Sequence, residues 1–259
     1  MNTQPIGIFD SGIGGTSIFK EIHALLPNEN SIYLADSKHA PYGNKSKQDI
    51  IELSAKNTEY LLSKNCKLIV VACNTATTNA VSHLRSKYNV PFIGIEPAIK
   101  PAALNTETKA VGILATKGTL SSELFHKTTD LYSNDINVIE QIGEGIVPLV
   151  EEGKATSNEM KALLTDYLKP MIDANIDYLV LGCTHYPYVM PLLLELLPKH
   201  VKIIDSGLAV AKQTKAVLEQ NQLLNKTAKT PENAFYINTN ITVLKDIVGA
   251  NFKVEYLDF

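Results

Sequence analysis

Two cysteines stand where an apolar run gives way to polar residues. Cys73 follows Leu68-Ile69-Val70-Val71-Ala72 and leads into Asn74-Thr75; Cys183 follows Tyr178-Leu179-Val180-Leu181-Gly182 and leads into Thr184-His185. A thiolate is both a nucleophile and a base, and a helix N-terminus beside it draws a thiol down from about 8.5 toward neutrality. That lowering is the expectation for both residues. Cys66 precedes its apolar run with no polar cluster beside it and reads as inert packing. With no C-x-x-C pair and no zinc-type Cys/His spacing, the three cysteines predict free thiols and no bound metal.

The neighbouring groups are less specific on their own. His185 either serves as a general acid or base or hydrogen-bonds its own loop. Asp10 opens the Gly-rich turn Asp10-Ser11-Gly12-Ile13-Gly14-Gly15. Ser17 occupies the place of the third glycine of G-x-G-x-x-G, and no G-x-x-x-x-G-K-[ST] precedes a helix, so a nucleotide site is not expected. A tight turn with backbone N–H donors for a small anion remains, with Asp10 attracting an ammonium, orienting a proton-transfer group or capping a helix. Glu151-Glu152 reads as a solvated helix face, and Asp36 is equally open.

Positioning these residues requires an α/β fold. Short β-branched runs predict strands at Ile6–Phe9, Ser31–Ala35, Lys67–Ala72, Phe92–Ile95, Ala110–Ala115, Ile136–Gln141, Tyr178–Gly182 and Lys202–Asp205. Helical spacing predicts helices at Ser17–Leu26, Lys47–Lys64, Thr75–Tyr88, Thr119–Tyr132, Asn158–Asn175 and Tyr188–Leu197. The pattern also repeats. Gly7-Ile8-Phe9-Asp10-Ser11-Gly12 has a counterpart in Gly112–Thr119, and Leu68–Thr75 has one in Tyr178–His185. Gly7 precedes Cys73 by 66 positions and Gly112 precedes Cys183 by 71, as two like units with a modest insertion would require.

If the halves face one another, the thiols approach one ligand from opposite sides. That suits removal of a proton from one face of a carbon and delivery of another to the opposite face. An amino-acid α-proton is weakly acidic, so the carbanion needs hydrogen-bond donors and exclusion of water; Ser11, Asn74, Thr75 and Thr184 are suitable donors.

Composition narrows the partners. The 259 residues are 45% hydrophobic and 20% charged, and 24 basic against 27 acidic side chains leave −3. A packed core is affordable, and no global positive field exists to collect nucleic acid or an anionic membrane. No run approaches the roughly 18 apolar residues of a membrane helix, and Met1–Pro5 has no basic leader, so a cytoplasmic location is expected.

Six blocks in order along nearly the whole chain resemble the glutamate racemases of the aspartate/glutamate racemase family: Phe9–Gly15, Ala40–Ser46, Ala72–Thr77, Val147–Glu151, Gly182–Pro187 and Asp205–Gly207. The resemblance implies two pseudo-symmetric α/β domains, each with a largely parallel sheet flanked by helices. Residues 1–97 plus 208–259 would carry Cys73, and residues 98–207 would carry Cys183. It implies cofactor-independent interconversion of L- and D-glutamate, supplying D-glutamate for peptidoglycan. Cys73 would deprotonate the D-enantiomer with help from Asp10, and Cys183 the L-enantiomer with help from His185. The acidic helper maps to Glu151, with Glu152 adjacent. Substrate contacts map to Asp10, Ser11, Tyr42, Gly43, Asn74, Thr75, Thr116, Thr119, Thr184 and His185, and the family's habit suggests a homodimer. Leu34-Ala35-Asp36-Ser37 departs from the family's Leu-Gly-Asp-Thr. Aspartate as substrate, and a two-lobed module that binds an acidic ligand without chemistry, are the competing readings.

Overall fold

A computed structural model describes residues 3–132, 135–227 and 230–259. It contains two sheets. The first combines β1 (Ile6–Asp10), β2 (Ser31–Ala35), β3 (Leu68–Val71), β4 (Phe92–Gly94), β9 (Asn233–Ile237) and β10 (Lys253–Tyr256) in the order β10-β9-β2-β1-β3-β4. The second has β5 (Ala110–Ala115), β6 (Asn137–Ile142), β7 (Tyr178–Gly182) and β8 (Lys202–Ile204) in the order β6-β5-β7-β8. Every pairing is parallel, as expected for strands that bury both faces under helices.

The repeat seen in the sequence is repeated in strand register. The order β2-β1-β3-β4 recurs as β6-β5-β7-β8. Gly7 pairs with Ile69, and Gly112 pairs with Leu179. Each cysteine lies four residues past its partner strand's paired position, so both thiols emerge beyond the carboxyl ends of equivalent central strands. That is where ligands sit in open parallel sheets.

In the first lobe the helices are α1 (Thr16–Leu25), α2 (Lys47–Ser63), α3 (Asn74–Lys87), α10 (Gly207–Gln220) and α11 (Thr242–Val248), with α10 packed on α1. Helix α2 begins with a capping box, Ser46 and Asp49 satisfying each other's backbone N–H. The second sheet is accompanied by α4 (Ile99–Asn105), α5 (Lys117–Leu120), α6 (Glu123–Tyr132), α7 (Ile146–Glu151), α8 (Asn158–Asp173) and α9 (Met190–Leu196). One apolar cluster is shared by both lobes, joining Ile8 and Val70 to Leu179 and Leu181.

The eight predicted strands are present to within a residue or two. β9 and β10 were not anticipated, nor were α4, α7, α10 and α11. The single helix expected at Thr119–Tyr132 is two, broken where Ser122, just before α6, accepts the Phe125 N–H through its hydroxyl. No described helix is long and apolar enough to cross a membrane.

Candidate active site

The two thiols line one small cavity between the lobes. Its wall comprises Ser11, Pro41, Tyr42, Gly43, Cys73, Asn74, Thr75, Thr116, Val147, Cys183 and Thr184. At ≈ 10 Å³ it has room for about one water molecule. A vestibule of ≈ 640 Å³ adjoins it and shares Pro41, Gly43, Thr116 and Val147 with it. Larger surface clefts of ≈ 840 and ≈ 880 Å³ contain neither thiol.

Cys73 is the N-cap of α3: its Sγ accepts the Ala76 N–H at 3.4 Å and lies 3.6 Å from Ser11 Oγ. The expected lowering of this thiol is reversed. Burial, reinforced by the negative charge of Asp10, lifts Cys73 well above the ordinary thiol range despite the helix N-terminus and Ser11. Cys66, packed in the outer core of the first sheet, is pushed up to about 12 by burial alone, in keeping with inert packing.

Cys183 has a different neighbour. Its Sγ lies 3.8 Å from His185 Nδ1, and His185 Nε2 lies 2.5 Å from Glu151 Oε1. The Gly14 N–H points at the same Nε2 from 3.3 Å. The much shorter carboxylate contact assigns the Nε2 hydrogen to Glu151 and leaves Nδ1 facing the sulfur. Burial opposes a charge on His185, but hydrogen bonds to Cys183 and Glu151 outweigh it and hold the ring well above the usual histidine range. Burial likewise opposes a charge on Glu151, and His185, Ser37 and Ile13 together bring the carboxyl below its ordinary value.

The Gly-rich turn explains how groups of the second lobe reach this place. A Cβ on Gly12 would overlap the Glu151 carboxylate, and one on Gly14 would overlap the His185 ring. The anion expected at the backbone donors of this turn is the Glu151 side chain itself: Ile13 N–H donates to Oε1 at 2.7 Å. Asp10 is fully buried, with Oδ2 accepting from the Gly12 and Gly15 amides and Oδ1 from the Thr184 hydroxyl at 3.4 Å. Burial raises its carboxyl to about 6 against the opposing charge of His185 and the Gly15 hydrogen bond.

Nine of the residues singled out in the sequence form the wall: Ser11, Tyr42, Gly43, Cys73, Asn74, Thr75, Thr116, Cys183 and Thr184. Asp10, His185, Glu151 and Thr119 stand behind it; Thr119 closes a hydroxyl cluster with Thr116 at 3.0 Å and Thr75 at 3.3 Å. Of the two adjacent glutamates, Glu151 contacts His185, whereas Glu152 lies on the surface, paired with Lys154 at 2.6 Å. Asn74 is buried and both atoms of its amide lack a protein partner. An unpaired amide is costly unless a ligand meets it. Pro41 and Val147 complete the wall without any chemistry of their own to announce them. Ser37 was missed as well, although its hydroxyl donates to Glu151 Oε2 at 2.6 Å.

Two like α/β lobes with a cavity between them define the fold class, and residues 6–214 match the Asp/Glu/Hydantoin racemase family. The chain belongs to that family of isomerases. Within it the similarity is to glutamate racemases. The chain is 47% identical to the glutamate racemase of Ectopseudomonas mendocina (strain ymp) over 221 residues, 85% of this chain and 84% of that one. The crystal structure of Escherichia coli glutamate racemase in complex with L-glutamate and the activator UDP-MurNAc-ala superposes with a TM-score of 0.87 at 32% identity, covering 98% of each chain. That of the Francisella tularensis subsp. tularensis SCHU S4 enzyme in complex with D-glutamate gives 0.86 at 31% identity, covering 100% of this chain and 98% of that one.

Proposed function

We propose that this chain interconverts L- and D-glutamate by moving the α-proton between two thiols, and that it supplies D-glutamate for peptidoglycan. The observation that carries the reading is the pair of buried thiols, one from each lobe, in the wall of a single cavity that also holds the unpaired Asn74 amide. The relatives bound to L- and D-glutamate support the choice of substrate.

In this mechanism Cys73, as thiolate, takes the α-proton of D-glutamate while the Cys183 thiol delivers one to the opposite face. From L-glutamate the roles reverse. Asn74, Thr75, Ser11 and Thr184 supply donors to the carboxylate on which carbanion charge accumulates. A thiol raised by burial makes a stronger base once ionised, which suits a weakly acidic C–H. His185 takes the Cys183 proton and returns it, Glu151 holds the ring for that exchange, and Asp10 assists the Cys73 side. The reaction draws on no cofactor and takes place in the cytoplasm, with a homodimer as the working assembly.

The cavity as it stands is far smaller than an amino acid. Substrate is therefore admitted by parting of two domains, residues 1–97 plus 208–259 and residues 98–207, through the adjoining vestibule. Proton NMR of the purified protein with L-glutamate in D₂O, followed by chiral analysis of the same sample, tests the function. The expected result is loss of the α-proton signal together with appearance of D-glutamate. Silence toward both enantiomers, with turnover of aspartate instead, would redirect the substrate; binding without exchange would overturn the enzyme reading.

A further inference from the structure

We propose that Ser37 is a positioning residue for the Cys183 half of the reaction: its hydroxyl, delivered from the first lobe, orients the Glu151 carboxylate of the second, so that His185 is fully engaged only when the lobes are closed. This rests on the two-thiol reaction proposed above.

Glu151 is the last residue of α7, where a negative charge meets the unfavourable end of the helix dipole. Three donors offset this: His185 Nε2 and Ile13 N–H on Oε1, and Ser37 Oγ–H on Oε2. Two of the three come from the opposite lobe. When the lobes part to admit an amino acid, Glu151 keeps only His185 and its carboxylate is free to turn about its last torsion. On closure, Ile13 and Ser37 seize one oxygen each and fix the plane in which Oε1 meets the imidazole.

Ser37 is itself held on a rigid support. It opens a 3₁₀ turn, Ser37–His39, directly after β2. The preceding Asp36 is buried; its N–H donates to the Asp10 carbonyl at 3.0 Å. The Asp36 carboxylate accepts from Tyr42 Oη–H at 2.5 Å, from His39 Nδ1 at 2.6 Å and from Asn238 Nδ2 at 2.6 Å. Asn238, just past β9, also accepts the Lys38 N–H through its Oδ1 at 2.9 Å. The ambiguous Asp36 thus anchors the turn that presents Ser37, and β9 reaches the site through Asn238. The hydrogen bonds of Cys73 Sγ among the described residues run to Ala76 and Ser11 of its own lobe, so the consequence falls on one thiol.

The test is Ser37→Ala, compared with Ser37→Thr and the unmodified protein, using L- and D-glutamate deuterated at the α-carbon. Removing a hydrogen bond to a charged group lowers kcat/KM by about tenfold, and Ser37→Thr retains activity to within about twofold. Because only proton transfer at Cys183 is slowed, the isotope effect on kcat/KM rises for L-glutamate and falls for D-glutamate. Isotope effects that shift in the same direction for the two enantiomers, or a full rate with Ser37→Ala, would overturn the role of Ser37 while leaving the racemase reading intact. An unmodified protein that neither racemises nor exchanges glutamate would overturn that reading itself.

Discussion

Cys73 and Cys183 occupy equivalent positions in two like lobes, yet their surroundings differ. Cys73 sits at the N-terminus of a fourteen-residue helix, touched by one amide and one hydroxyl and raised by burial and by Asp10. Cys183 faces an imidazole that is backed by a carboxylate, and that carboxylate is held in turn by the opposite lobe. Duplication accounts for the shared placement at the strand ends. The groups around one thiol are not repeated around the other, so two residues of the same type at equivalent places stand in different electrostatic surroundings.

Replacing the thiols tests whether both are needed. Cys73→Ser and Cys183→Ser should each lower racemisation by about 10³-fold or more, measured by chiral analysis over time; a slight loss in either would break the pairing. His185→Asn should cost about 10²-fold. Its loss should raise the α-deuterium isotope effect with L-glutamate and lower it with D-glutamate, which would place the imidazole on the Cys183 side alone.

Asp10 marks the other side through stability. Its carboxyl, at about 6 in the folded protein against an ordinary 3.8, binds its proton more tightly in the native state. The stability it contributes is full below about pH 3.8 and is lost as pH rises through about 6. Allowing for weaker amide hydrogen bonds in the variant, Asp10→Asn should stabilise the fold by about 2 kcal/mol at pH 7.5. The gain should vanish near pH 4, as urea titrations at the two pH values would reveal. Smaller still, Glu151→Gln should lower kcat/KM about tenfold and Glu152→Gln less than twofold, since an exposed ion pair contributes little.

Much of this site was legible in the sequence because its carriers are local. Leu68–Val71 and Tyr178–Gly182 are buried apolar runs each followed closely by a cysteine, and the similar offsets of Gly7 and Gly112 from those cysteines, 66 and 71 positions, betray the repeat. Glu151 was not legible from its own surroundings. A doublet of glutamates after an apolar run looks like a solvated face, and its partners Ile13 and Ser37 are 138 and 114 positions away. Ser37 is a single hydroxyl after a strand, a type common on any surface. β9 and β10 escaped because the edge strand Lys253–Tyr256 buries only Val254, and its inner neighbour Asn233–Ile237 buries only Phe235 and Ile237, so neither shows the continuous apolar run of the central strands. The expectation of a lowered Cys73 failed because a helix N-terminus is visible in sequence, whereas complete burial beside Asp10 is a property of the assembled lobes.

The central claim, that each thiol serves one enantiomer, is tested most directly by α-deuteron wash-out. Cys73→Ser and Cys183→Ser are incubated separately with α-deuterated D- and L-glutamate in H₂O, and residual deuterium is followed by mass spectrometry. Cys73→Ser should lose exchange from D-glutamate while retaining it from L-glutamate, and Cys183→Ser should show the reverse. Equal exchange of both enantiomers by either variant would contradict the account.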